Sequence, residues 1–350
     1  MKIAIIAFNN LRISPYVNIY ADFCRENNIE HEIIYPNRAS IQETAQCPLV
    51  PIEWDASKNK LINFLKFRKE AIRYLKQKKP DFVIVLTTMP AVLLGGFLCC
   101  HFKERYLVDV RDYTYEHVLP YYLMEKKALK NSAMNVISSP GFRNFLPSAE
   151  YYLCQNINAG YASGKCDIAR RIAEEGITIG YVGSIGYKEQ CMRLIHLVEK
   201  DNRFRFYLYG DEGPDKRISI YLQSHPCDRI KTFGPYVPSE KSSIMAGVDI
   251  LFNAYGCGSK LLDYALSNKL YDAFYMRIPL LTSPNTAMSE EAGAYSFDID
   301  LENEASLDRL YEWYRKFDHD AFDTYSEQYL NNVFRKQEAF YTRLRSVLCD

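Results

Sequence analysis

The stretch Thr178-Ile-Gly-Tyr-Val-Gly-Ser-Ile-Gly-Tyr-Lys188 lies near the middle of the chain and decides how the whole of it is read. Thr178–Val182 suits a strand, glycines at 183 and 186 mark a loop, and helical spacing follows over Gln190–Lys200. A strand that feeds a helix through a glycine turn is the repeating unit of a parallel sheet covered by helices. The unit recurs downstream as strand Arg205–Tyr209, helix Arg217–Ser224, strand Ile230–Phe233 and helix Ser239–Ala246. Strand Ile250–Asn253, helix Asn268–Tyr275 and strand Pro279–Thr282 continue it, and Ser306–Leu348 reads as helical throughout.

The same alternation fills the chain upstream. Strand Lys2–Ala7 is followed by a polar loop to Pro15, helix Val17–Asn28 and strand His31–Tyr35. Leu61–Lys79 has Leu61, Leu65, Ile72 and Leu75 near helical spacing, and Pro80 stops it. The unbroken apolar run Phe82–Leu86 suits a central parallel strand buried on both faces. Helix Ala91–Phe102, strand Tyr106–Val110, helix Tyr121–Asn131 and strand Ala133–Ile137 follow. Asn156–Glu175 is polar, has no long apolar run and reads as a linker. The fold class expected is α/β, with two doubly wound, Rossmann-like domains in tandem. The boundaries expected are 1–160 and 177–305, a linker at 161–176, and terminal helices over 306–350 packing back across the domains.

Composition agrees with two ordinary globular domains. The 350 residues are 48% hydrophobic and 25% charged, which excludes a disordered chain. Lys+Arg 43 cancel Asp+Glu 43, so net charge points to no nucleic-acid surface. Residues 1–170 nevertheless carry 22 basic and 16 acidic side chains, a net of +6 offset in the remainder. Ten cysteines without a C-x-x-C spacing suggest a reducing compartment, and the longest apolar run, Met89–Cys100, falls short of the ~20 residues needed to cross a bilayer. The opening MKIAIIAFNN reads as a buried first strand rather than a signal peptide, so a cytoplasmic protein is expected.

In such sheets ligands bind beyond the carboxyl ends of the strands, at helix N-termini. Gly183 and Gly186 allow backbone N–H groups to approach a phosphate, and Lys188 adds a positive charge; a plain strand-to-helix turn with a solvated Lys is the alternative. Neither G-x-G-x-x-G nor G-x-x-x-x-G-K-[ST] is present, which disfavours NAD and ATP. Ser267 or Asn268 caps a second candidate helix, with Lys269 in a first turn that disfavours a cation unless an anion is near. Asp272, one turn on, is placed to accept hydrogen bonds from two ribose hydroxyls, or simply favours the helix N-terminus. In the first half, Asp109, Arg111 and Asp112 cluster at a strand end, either as a pair tying down the loop or with Asp112 as a general base. His117 is nearby, and His101 ends a helix.

Four segments in order, YVGSIGYKE, FRFYLYGDEGP, IKTFGPYVPSEKSSIMAGVDILFNAYG and SNKLYDAFYMRIPLLTS, resemble the donor-binding domain of nucleotide-sugar glycosyltransferases with the GT-B fold. The resemblance covers roughly residues 177–285. RYLVDVRDYTYE and EKKALKNSAMNVISSPGF resemble the family's acceptor domain less closely, and the enzymes of bacterial surface (capsular or O-antigen) polysaccharide synthesis are the nearest group. The resemblance implies a GT-B architecture. It also implies that Gly183, Ser184 and Lys188 contact the donor diphosphate and that Tyr236 holds the nucleobase. Asn268, Lys269 and Leu270 then match the diphosphate-binding helix start, and Asp272 the acid that binds ribose. Asn10 and Ser14, in the polar loop facing the interdomain cleft of this fold, become acceptor-side candidates.

One departure concerns retaining members, many of which carry Glu, seven residues, then Glu. Eight positions before Asp272 stands Tyr264, with Asp263 one further back, and this leaves the stereochemical outcome open. Glu189 stands where a Gly is common.

The function implied is transfer of a sugar from a nucleoside diphosphate to an acceptor hydroxyl, without a cofactor. No D-x-D-like pair is placed for a metal, and none is expected. A nucleotide-sugar epimerase of the same fold is the rival enzyme, and a non-catalytic nucleotide-sugar-binding protein the other. The epimerase needs acids and a histidine at the sugar, and the second domain offers only His196, His225 and His319. Lys58–Lys79 carries nine basic side chains and one acid beside Leu61, Ile62, Phe64, Leu65 and Phe67. That composition suits peripheral contact with an anionic membrane and a lipid-linked acceptor at its inner face, or else a packed helix with a solvated basic side.

Overall fold

The structure, a computed structural model, describes residues 1–162 and 176–349. It divides into two compact units, Met1–Gln155 with Arg335–Asp350, and Asn156–Phe334. Most of the expected linker, 163–175, lies outside the described residues.

The first unit holds a sheet whose strands run β1 Lys2–Ile6, β2 Glu30–Asn37, β3 Leu49–Glu53, β4 Phe82–Leu86, β5 Tyr106–Val110, β6 Met134–Ile137 and β7 Tyr152–Leu153. Every pairing is parallel and the spatial order is β3-β2-β1-β4-β5-β6-β7. Helices α1 Val17–Glu26, α2 Lys60–Lys78, α3 Thr88–His101 and α4 Leu119–Lys130 make the crossovers. β1, β4, β5 and β6 are buried along nearly their whole length, as strands covered on both faces must be. β3 and β7 were not expected. Pro51 lacks an N–H for the ladder, which confines β3 to the sheet edge, and β7 is too short to show a period.

The second unit repeats the plan with β8 Ile177–Val182, β9 Phe204–Tyr209, β10 Ile230–Gly234, β11 Ile250–Asn253, β12 Leu280–Thr282 and β13 Ser296–Asp298. Their order is β10-β9-β8-β11-β12-β13, again all parallel. The helices are α5 Lys188–Val198, α6 Arg217–Ser224, α7 Lys241–Met245, α8 Lys260–Tyr264, α9 Asn268–Met276 and α10 Ala287–Ala292. α5 starts at Lys188, two residues before the position expected, and this puts the Lys188 side chain on the first turn.

The C-terminal stretch is two helices, α11 Ala305–Arg315 and α12 His319–Leu348. Phe322, Tyr329, Leu330 and Val333 of α12 join the core of the second unit, whereas Phe340, Leu344 and Leu348 join that of the first. In each sheet the order reverses once, at β1/β4 and at β8/β11, and these topological switch points are where the loops diverge and leave a crevice.

Candidate functional site

At the β8/β11 switch point the backbone is tightly specified. Gly183 has φ +130° and its N–H donates to the Tyr209 carbonyl at 2.9 Å. Gly210, at φ +144°, approaches so closely that a Cβ there would lie 1.9 Å from the Gly183 oxygen. At this point the two strand-end loops therefore approach through glycine backbone. The Ile185 N–H to Asp211 carbonyl bond (2.9 Å) holds them together.

The helices at this edge differ in how their N-termini are satisfied. α6 is closed by Glu212, whose carboxylate accepts from the Ile218 and Ser219 N–H groups; Ser259 caps α8 and Thr286 caps α10. α5 and α9 have no side-chain cap. The Ser267 hydroxyl, the natural cap of α9, instead donates to Asn253 Oδ1 at 3.1 Å. These two helices start beside the switch point, and their first turns carry Lys188 and Lys269. Helix N-termini left uncapped next to lysines form a site suited to an anion.

The two lysines are held differently. Lys188 Nζ pairs with the Asp215 carboxylate in the loop after β9. Lys269 Nζ lies 4.4 Å from the Tyr181 ring centroid and 5.2 Å from that of Tyr255. A Cβ on Gly183 would stand 3.4 Å from it. Although Lys269 keeps some exposed surface, crowding by protein lowers its pKa to about 8; Asp272 opposes that shift and Lys241 adds to it. The ring faces attract the cation but do not replace an anion. Tyr187 stacks on Tyr255 at 4.0 Å, extending the aromatic wall.

Asp272 is buried, with Oδ1 accepting from the Tyr161 hydroxyl at 2.6 Å and Oδ2 from Lys241 Nζ at 2.5 Å. Tyr236 is half-buried nearby, its phenol pushed up to about 12 by burial and by the Asp272 charge. Asn268 and Ser184 are exposed at the ends of their loops. Leu270 is wholly buried in the core, and its N–H donates to the Ser267 carbonyl at 3.1 Å. The fold thus gathers Gly183, Lys269, Asp272 and Tyr236 about one corner. Lys241 and Tyr161 join them without any sequence signal, since they are 31 and 111 residues from Asp272.

The first unit is sealed by comparison. Asp109 and Arg111 form a buried ion pair of 2.6 Å; Tyr20 donates to the same carboxylate oxygen at 2.7 Å, and Arg111 also donates to the Cys154 carbonyl at 2.9 Å. This pair is the loop tie. Asp112 stands outside it, exposed yet crowded enough that its carboxyl is raised above the usual range, with Arg111 pulling the other way. Asn10 is buried, donating to Asn37 Oδ1 and accepting from the Ala39 N–H, both at 3.0 Å, and Ser14 is fully buried. Thr87, at φ +74°, is a backbone outlier for a β-branched residue at the end of β4. Among the described residues no three His, Cys, Asp or Glu side chains are grouped to hold a metal.

No protein-family model matches the chain, and no curated protein matches it in sequence. Solved structures do. Sucrose-phosphate synthase from Thermosynechococcus elongatus superposes with TM-score 0.72 at 11% identity, over 99% of each chain. The Anabaena protein HepE, in complex with UDP and glucose, gives 0.70 at 11% identity over 99% of this chain and 100% of that one. WaaG, a glycosyltransferase involved in lipopolysaccharide biosynthesis, gives 0.69 at 11% over 99% and 98%. The chain has the two-unit α/β fold of the GT-B glycosyltransferases.

Proposed function

We propose that this protein is a glycosyltransferase that moves a sugar from a nucleoside diphosphate to an acceptor hydroxyl. The carrying observation is the pair of uncapped helices α5 and α9, each with a lysine in its first turn, converging on the β8/β11 switch point. A diphosphate would satisfy the free helix ends and draw Lys188 from Asp215 and Lys269 from its aromatic bed. The same groups stabilise charge that grows on the departing diphosphate, and cationic side chains serve there without a metal. Asp112 is the acceptor-side base candidate, because Asp109 and Arg111 are committed to each other.

The epimerase reading is not favoured. His196 lies in the last turn of α5 and His225 at the C-cap of α6, at the opposite sheet edge from the strand carboxyl ends.

A lipid-linked acceptor at the inner face of a membrane, in surface polysaccharide synthesis, is the finer assignment. Among the described residues no helix is long and apolar enough to cross a membrane. α2 packs through Asn63, Phe67, Ala71 and Leu75 and exposes Leu61, Ile62 and Leu65 beside Lys60, Arg68 and Lys69. Phe67 belongs to the core and Phe64 packs on Phe8 and Trp54, so the apolar surface is narrower than the sequence implied. α4 adds exposed Leu119, Leu123 and Met124. The nine described cysteines are all free thiols, in keeping with a cytoplasmic setting.

Release of nucleoside diphosphate from a donor panel, with and without a lipid-linked acceptor, tests the assignment. Acceptor-dependent release is expected. Epimerised sugar without release would establish the rival enzyme, and nucleotide binding without turnover a binding protein.

A further inference from the structure

The acid assigned to the donor ribose is already occupied by the protein itself. Tyr161 donates its hydroxyl to Asp272 Oδ1 at 2.6 Å, and its ring lies flat on Tyr275, centroids 3.9 Å apart and planes 9° from parallel. An aromatic ring stacked on a tyrosine, with a hydroxyl delivered to a buried carboxylate, reproduces the two contacts by which a nucleoside is gripped: its base by the face, its ribose by the hydroxyls. Tyr161 sits on a single 3-10 turn, Ala159–Ala162, whose Gly160 N–H is bound by Asn158 Oδ1 at 2.9 Å and whose Tyr161 N–H is bound by the Asn158 carbonyl at 3.0 Å. None of the turn's residues is buried, so it can shift without opening a hydrophobic core. Lys241, by contrast, is carried by α7 between a 3-10 turn and the buried Met245. Its Nζ donates to Asp272 Oδ2 at 2.5 Å, the carboxylate oxygen that Tyr161 does not use.

We propose that Tyr161 is an internal stand-in for the donor nucleoside. It fills the Asp272–Tyr275 corner while the donor is absent, and gives up both contacts when a nucleoside enters. Lys241 remains and orients the Asp272 carboxylate toward the ribose. The proposal rests on the assignment of the α9 start as the donor site. Competition of this kind raises the apparent dissociation constant by the inverse of the fraction of molecules in which Tyr161 is displaced. Because the displaced fraction is a property of the nucleotide-free protein, the factor is the same for different bases.

Isothermal titration of the full chain with UDP, GDP and ADP, at one pH and ionic strength, compares wild type with Tyr161→Phe and Tyr161→Ala. Tyr161→Phe removes only the hydroxyl bond and keeps the stack, so it guards against a folding failure in Tyr161→Ala. The expected result is tighter binding of whichever nucleotides bind, by roughly threefold for Tyr161→Phe and on the order of tenfold for Tyr161→Ala, as for a displaced state populated near ~10%. The nucleotide-free Tyr161→Ala protein melts slightly lower than wild type, and its stabilisation by nucleotide is larger. Unchanged or weaker binding in both variants overturns the proposal and leaves the donor site standing. Binding of no nucleotide by any of the three proteins overturns the donor-site assignment, and the stand-in with it.

Discussion

The β1/β4 and β8/β11 switch points occupy equivalent places in two sheets of matching strand order, yet their charged residues do opposite things. In the first unit Asp109 and Arg111 neutralise each other inside the protein, and Asn10 and Ser14 are buried in loop structure. In the second, Lys188 is held by Asp215 and Lys269 by aromatic faces, contacts that an anion can replace, while Lys241 and Asp272 hold each other. Shared topology supplies a crevice in both. Whether the crevice is a site depends on whether its charges are spent on the fold. The contrast makes the first unit's Asp–Arg pair a stability element; under the proposed function, the second unit's Lys188 and Lys269 are a stored affinity for an anion.

Substitution of the two first-unit aspartates gives the largest contrast. Asp109→Ala removes the carboxylate that offsets the buried Arg111 charge and should cost about 3–5 kcal/mol, visible as a melting temperature lower by roughly 10 °C. Asp112→Ala should leave stability within about 0.5 kcal/mol while slowing sugar transfer. A destabilised Asp112→Ala protein would erase the distinction drawn between them. Gly210→Ala comes next. Its Cβ would strike the Gly183 oxygen at 1.9 Å in a backbone region at φ +144° that side chains rarely enter. About 3 kcal/mol of stability should be lost, with donor binding lost as the loop moves, read by calorimetry and UDP titration.

Lys269→Met separates function from stability. It should weaken UDP binding by ~30-fold or more, the loss expected for a charge-assisted contact, while raising the melting temperature. The sign follows from its pKa. The unfolded chain binds this proton near the ordinary value of 10.5 and the folded chain near about 8. The penalty of holding the cation is therefore fully present below about 8 and fades as pH rises toward 10.5. Wild-type affinity for UDP should fall as pH climbs from 7.5 to 9.5, whereas the variant's profile should lack that step. A matching fall in the variant would assign the step to another group.

The smallest effect is expected at α2. Replacing Leu61, Ile62 and Leu65 by Ser should halve or better the retention on anionic vesicles at low salt without changing donor affinity, measured by co-sedimentation. Wild type that ignores such vesicles would leave the apolar surface without a membrane role.

Much of the fold was legible because parallel strands covered on both faces must be apolar along their length. Phe82–Leu86, Tyr106–Val110 and Ile250–Asn253 are found at the bounds read from sequence. β3 was missed where Pro51 breaks the pattern, and β7 and β13 because strands of two and three residues carry no period. The position of the break between α11 and α12 was not legible, because Lys316, Phe317 and Asp318 interrupt a helical pattern without a Pro or Gly to mark it.

For the site, chain order alone determined that glycines 183 and 186 leave a strand, that Lys188 follows them, and that Lys269 sits at a helix start with Asp272 about one turn on, because propensity and periodicity act over a few residues. Which of those charges is spent was decided only in three dimensions. Asp215 reaches Lys188 across 27 residues, Lys241 reaches Asp272 across 31, and Tyr161 across 111. Burial and electrostatics depend on distance in space, and a loop of thirty residues costs little more to close than one of fifteen, so no local pattern announces which partners meet.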